Sequence, residues 1–79
     1  MTPENIAAMD RLEAFVRERH FPQSRFYRIE WMEDAYRCVW YRVYISSLEM
    51  PCWEAYGEGS HLDLAIEAAF KKIPVDALK

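Results

Sequence analysis

Apolar residues along the chain keep two rhythms, one helical and one extended, and the changes between them divide it into five elements. Ile6, Met9, Leu12, Phe15 and Val16 recur at the spacing of one helix face. Thr2-Pro3-Glu4 supplies the start of that helix, with Thr2 as N-cap, Pro3 at the first helical position and Glu4 at the positive end of the dipole. Glu13 and Arg17 stand one turn apart on its wet side, and Pro22 predicts an end by about His20. From Arg25 the period becomes two. Tyr27, Ile29 and Trp31 alternate with Phe26, Arg28, Glu30 and Met32, which predicts a strand over Arg25–Met32 with the first set toward the core.

Glu33-Asp34-Ala35 predicts a turn, and Tyr36–Ile45 the longest strand. That stretch holds no Gly or Pro and is dense in aromatic and β-branched residues. Val39, Tyr41, Val43 and Ile45 form its core face, and Cys38, Trp40, Arg42 and Tyr44 its other face. After a loop over Ser46–Pro51, Cys52–Gly57 predicts a third strand, with Trp53 and Ala55 inward and Glu54 and Tyr56 outward. Gly57-Glu58-Gly59 then reads as a hinge, glycine allowing the chain to leave the sheet at angles other residues dislike. Ser60-His61-Leu62-Asp63 matches a capping box. Leu62, Ala65, Ile66, Ala69, Phe70 and Ile73 follow the helical rhythm, Glu67 and Lys71 can pair outside, and Pro74 ends the helix.

Two helices with one apolar stripe each need the same sheet face to bury it. The expected fold is therefore α+β, a three-stranded antiparallel sheet with two helices on one face, in the order α-β-β-β-α. Residues 1–79 form a single domain in this reading. Its expected core holds Leu12, Val16, Ile29, Val39, Tyr41, Val43, Trp53, Ala55, Ile66, Ala69 and Phe70. The opposite sheet face stays uncovered and shows Arg28, Glu30, Trp40, Arg42, Tyr44, Glu54 and Tyr56.

A chain of 79 residues leaves little room for a deep cleft, and its 15% aromatic content compensates for a small core. The formal net charge of -3 disfavours a general nucleic-acid binder, because phosphate contacts need surplus Lys and Arg. No apolar run is long enough to span a membrane, and no basic-then-apolar leader opens the chain, so a cytoplasmic location is expected. Cys38 and Cys52 are then expected as free thiols, with an intermolecular disulfide open to them in oxidising buffer.

Catalytic patterns are weak. Gly57-Glu58-Gly59-Ser60-His61 differs from a nucleophile elbow, which places Ser between the glycines, and Ser60 reads as a helix cap. His61 and His20 suit helix ends, and no nucleophile, base and charge stabiliser are gathered, so no enzyme and no cofactor are expected. Cys38, Cys52, His20 and His61 share no zinc-type spacing. With the second hairpin turning near Leu48, Cys38 would face the neighbourhood of Gly59 and Cys52 that of Ile45. An anion at Gly57-x-Gly59 would be repelled by Glu58 and Asp63.

Charge layout says more. No Lys or Arg lies between Arg42 and Lys71, an interval that holds Glu49, Glu54, Glu58, Asp63 and Glu67. Such a run is either a solvated surface or a docking patch for a basic protein. Trp40, Arg42, Tyr44 and Tyr56 on the uncovered face have the residue mix of binding hot spots. Both sets are candidate partner-binding residues. Single-stranded nucleic acid stacking on the aromatics, or a homodimer through that face, are the alternatives.

The element order, with Gly59-Ser60 leading into Leu64-Ala65-Ile66-Glu67-Ala68-Ala69-Phe70, resembles the double-stranded-RNA-binding domain. In that family a lysine cluster at the start of the last helix grips phosphate. Here that place reads Ser60-His61-Leu62-Asp63, and Glu33-Asp34-Ala35 stands where the family has a Gly-Pro-containing loop. The resemblance implies a shared topology without the RNA contacts. Size, acidity and Trp53-Glu54-Ala55-x-Gly57-x-Gly59 before an Ala-rich helix look like small phage or prophage proteins of the anti-CRISPR type. That likeness implies a non-enzymatic inhibitor in a bacterial cytoplasm that masks a basic nucleic-acid-binding surface of a CRISPR effector complex.

Overall fold

Three antiparallel strands stand in the order β1 (Arg25–Glu33), β2 (Val39–Ser47) and β3 (Trp53–Gly59). Helices α1 (Pro3–Arg17) and α2 (Leu62–Lys71) precede and follow them in the chain. The computed structural model describes residues 2–18, 24–48 and 52–75. The α-β-β-β-α order and antiparallel sheet are those expected from the hydrophobic rhythm.

Thr2 caps α1 as expected: its Oγ1 accepts the Asn5 amide at 3.2 Å, and Pro3 opens the helix. Leu12 and Val16 are buried, while Met9 and Phe15 pack at the margin of the core and Ile6 is left 49% exposed. α1 ends at Arg17, with Glu18 as its C-cap, and His20 lies outside the described residues. The α2 stripe holds in full, with Leu62, Ala65, Ile66, Ala69, Phe70 and Ile73 all buried. Its cap differs from the capping box. The N-cap is His61, with no side-chain cap bond, and Ser60 is exposed outside the helix. The orphan amide of Asp63 instead donates to Asn5 Oδ1 of α1 at 3.0 Å, so one helix caps the other.

Gly57 and Gly59 are not a hinge. Both lie within β3, opposite Val43 and Tyr41, and neither has a positive φ. Their role is steric. A Cβ at Gly57 would run into the Ala69 amide nitrogen and the Ala68 carbonyl carbon, and one at Gly59 would lie 2.8 Å from the Ala65 nitrogen. Glycine lets the α2 backbone settle directly on β3.

The first hairpin turn is longer than Glu33-Asp34-Ala35. β1 runs through Glu33 and β2 begins only at Val39. Asp34 Oδ1 accepts the Tyr36 and Cys38 amides at 2.8 and 2.9 Å, and the Asp34 carbonyl accepts Arg37 N–H at 3.0 Å. Arg37 takes the left-handed conformation, φ 61°, to close the loop. Ile29 therefore pairs with Val43, and Tyr27 with Ile45, each still on the face its parity predicted.

The core lies between α2, α1 and the β2–β3 half of the sheet, around Leu12, Val43, Ile45, Ala55, Ile66 and Ala69. Of the remaining expected core residues, Ile29, Tyr41 and Trp53 pack against its edge, and Val39 is half-buried. Tyr27 and Trp31 point to the helical side, as their pairing with Ile45 and Tyr41 requires, yet are 38% and 59% exposed. The helices do not reach them. At the other end of β1, Arg25 is buried. Its guanidinium lies 4.0 Å over the Phe15 ring and donates to the Phe15 carbonyl at 3.0 Å and to Glu18 at 2.7 Å, satisfying the α1 C-terminus. Phe15 also meets Phe70 edge to face at 5.5 Å.

Replacing Phe70 by Ala should cost about 3–5 kcal/mol, because it removes a buried ring at the junction of both helices. Gly57→Ala, though a change of one methyl, should cost about 1–3 kcal/mol or more, because α2 must lift off the sheet. Urea denaturation measures both; a Gly57→Ala protein as stable as the parent contradicts the close helix–strand contact.

Candidate binding face

The sheet face away from the helices is built as cross-strand rows, because antiparallel partners share a face. One row is Arg28, Tyr44 and Tyr56, and the next is Glu30, Arg42 and Glu58. Met32 opposite Trp40 lies on one side of these, and Phe26, Ser46 and Glu54 on the other. Trp40, Arg42 and Tyr44, expected together on this face, are brought together there with Tyr56, Glu54 and Glu58.

The two central rows are bonded to each other. The Arg28 guanidinium lies 4.3 Å from the Tyr44 ring centroid, and Tyr44 stacks on Tyr56 with centroids 5.8 Å apart and planes at 28°. Arg42 donates to the Tyr44 hydroxyl at 3.2 Å and to Glu58 at 2.7 Å. Those bonds, to Tyr44 first and Glu58 second, raise the Arg42 pKa above its already high ordinary value. Its charge is therefore fixed. Arg28 also reaches Glu30 at 3.3 Å. Arginines alternate with carboxylates and rings, so the side chains of the two central rows contact one another before any partner arrives.

The acidic run does not form one patch. Glu54 and Glu58 lie on the outer face of β3, and Glu58 is neutralised by Arg42. Asp63 and Glu67 stand on α2, in the helical layer, beside a shallow depression shared with Glu4 and Arg11 of α1. Glu49 lies outside the described residues. The interval without Lys or Arg is thus folded around the edge of the sheet, with acids on both layers.

Sequence reasoning placed Arg28 and Glu30 on the open face but did not single them out. The alternation of β1 is the signal that finds them: Arg28 and Glu30 share parity with Phe26 and Met32. Cys38 is a free, exposed thiol, and Cys52 is exposed. Gly59 lies opposite Tyr41, not Cys38, and Cys52 precedes β3 with its Sγ 3.5 Å from the Leu48 carbonyl rather than opposite Ile45. Among the described residues, no three His, Cys, Asp or Glu side chains are grouped to hold a metal ion. No helix among them is long and apolar enough to cross a membrane.

The Tyr44–Tyr56 contact is testable by a double-mutant cycle with Tyr44→Ala and Tyr56→Ala. A coupling of about 0.5–1.5 kcal/mol in denaturant unfolding is expected for stacked rings. Strict additivity means that the rings do not stack in solution.

Against this geometry, comparison with known protein families, with curated proteins and with solved structures finds no match to the chain.

Proposed function

We propose that the protein is a non-enzymatic binding protein that docks its open sheet face on a basic surface of a protein partner. The observation that supports this reading best is the bonded array Arg28–Tyr44–Tyr56 and Glu30–Arg42–Glu58, edged by Trp40 and Glu54. Aromatic and arginine side chains held in place lose little freedom on binding, which favours them as anchors. The carboxylate of Glu54 on β3, set opposite Ser46 rather than an arginine, favours a cationic partner and speeds encounter with it.

The resemblance to anti-CRISPR proteins makes the partner to try first the nucleic-acid-binding surface of a CRISPR effector complex, in a bacterial cytoplasm. Masking such a surface needs area and charge rather than catalysis. The second reading, stacking of single-stranded nucleic acid on Trp40, Tyr44 and Tyr56, has the aromatic surface it needs. Against it, every positive charge in the two central rows already has a carboxylate or ring neighbour.

The test is capture of CRISPR effector complexes by immobilised protein, with variants on each layer. Trp40→Ala or Tyr56→Ala should weaken capture about 30-fold or more if these are anchors. Glu54→Lys should weaken it and flatten its salt dependence, whereas Asp63→Lys, on the helical layer, should not. Sensitivity to Asp63→Lys alone moves the binding surface to the helices. A low-salt mobility shift of single-stranded DNA that Trp40→Ala abolishes replaces the protein-partner reading by the nucleic-acid one.

A further inference from the structure

β1 is an edge strand with an unusual composition. Its nine residues, Arg-Phe-Tyr-Arg-Ile-Glu-Trp-Met-Glu, pair with β2 without interruption, and its outer edge pairs with no other described strand. It carries no Pro, no Lys and no bulge. Those are the devices that ordinarily blunt an edge against further pairing. Large apolar side chains are also exposed on both of its faces, Phe26 at 43% on the open side, with Tyr27 and Trp31 on the helical side.

The sequence of β1 is self-complementary. Antiparallel pairing of two copies about Ile29 sets Arg28 opposite Glu30, Tyr27 opposite Trp31 and Phe26 opposite Met32, each contact occurring twice by symmetry. Opposed residues share a sheet face, so charge meets opposite charge on the open side and aromatic meets aromatic on the helical side. The helices of both copies then lie on one side of the joint sheet. The other edge has the opposite character. Self-pairing of β3 about Tyr56 would set Glu54 against Glu58 and put Gly57 and Gly59 at the contact, with like charges opposed and no side chains to pack.

We infer that two copies of this chain join through the outer edge of β1, in antiparallel register about Ile29, to form one six-stranded sheet. The exposed Trp31 and Tyr27 are the apolar part of that interface, and Arg28 and Glu30 set its register. The paired edge leaves Trp40, Tyr44 and Tyr56 uncovered, so the dimer presents the open face twice.

Charge reversals at the register positions test this on the full chain by sedimentation across a concentration series. The parent should move toward twice the chain mass as concentration rises. Arg28→Glu alone, or Glu30→Arg alone, sets like charges against each other at both symmetric contacts and should weaken the dimer roughly tenfold or more. An equimolar mixture of the two variants should restore association, because the two acidic positions of one then face the two basic positions of the other. Circular dichroism checks that both variants are folded. A parent that stays monomeric at every soluble concentration overturns the inference. So does a mixture that associates no better than its components, or a dimer that Trp40→Glu dissolves while the charge reversals leave it intact.

Discussion

The contact on which the rest of the structure depends is the approach of α2 to β3. Glycines at 57 and 59 remove the side chains that would hold the helix away, and Ala65, Ala68 and Ala69 meet them from the helix. The helix axis is thereby drawn to the β3 side of the sheet. α1 follows, because it packs on α2 and shares its buried residues Leu12 and Val16 with the α2 stripe. The core closes over β2 and β3, and β1 is covered near Arg25, where the end of α1 reaches it, and in part at Ile29, which packs against the edge of the core. A sheet three strands wide is thus served by a helical layer seated over two of them, which accounts for the exposure of Tyr27 and Trp31 on the side that packs.

Most of the fold was legible because it rests on periodicity. Helical spacing found both stripes, and alternation put the strand residues it assigned on their true faces, even where the hairpin turn proved longer than expected, while Ser46, Ser47 and Gly57–Gly59, read as loop and hinge, belong to the strands. What escaped was set by distance through space rather than along the chain. The two glycines read locally as a hinge, since nothing in Gly57-Glu58-Gly59 announces a helix backbone overhead. Ser60 has the residue type and spacing of a capping box, but the chain enters α2 one residue later and Asn5 supplies the acceptor. Tyr27 and Trp31 have core parity, and only the offset of the helices decides that they stay in water. Arg25 has the same parity, yet its burial depends on the α1 carbonyl and Glu18 that receive it.

The candidate face was legible in membership and not in wiring. Alternation in β2 and β3 gave Trp40, Arg42, Tyr44, Glu54 and Tyr56. The register that aligns Arg42 with Glu30, and Tyr44 with Arg28, required the turn geometry fixed by Asp34 and Arg37. The acidic interval misleads for the same reason. Residues contiguous in sequence pass from a strand to a helix on the opposite layer, so a charge run along the chain becomes two separate groups in space.

The hydrogen bond from the Asp63 amide to Asn5 joins positions 58 residues apart in a chain of 79. Its acceptor is in place only once α1 has docked, so the first turn of α2 remains without that cap until the two helices have met. The N-terminal cap of α2 is therefore tied to a contact of high sequence separation, the kind that slows folding. The same bond makes the Asp63 amide proton a reporter of the contact between the first helix and the last, because opening that contact frees it for exchange with water.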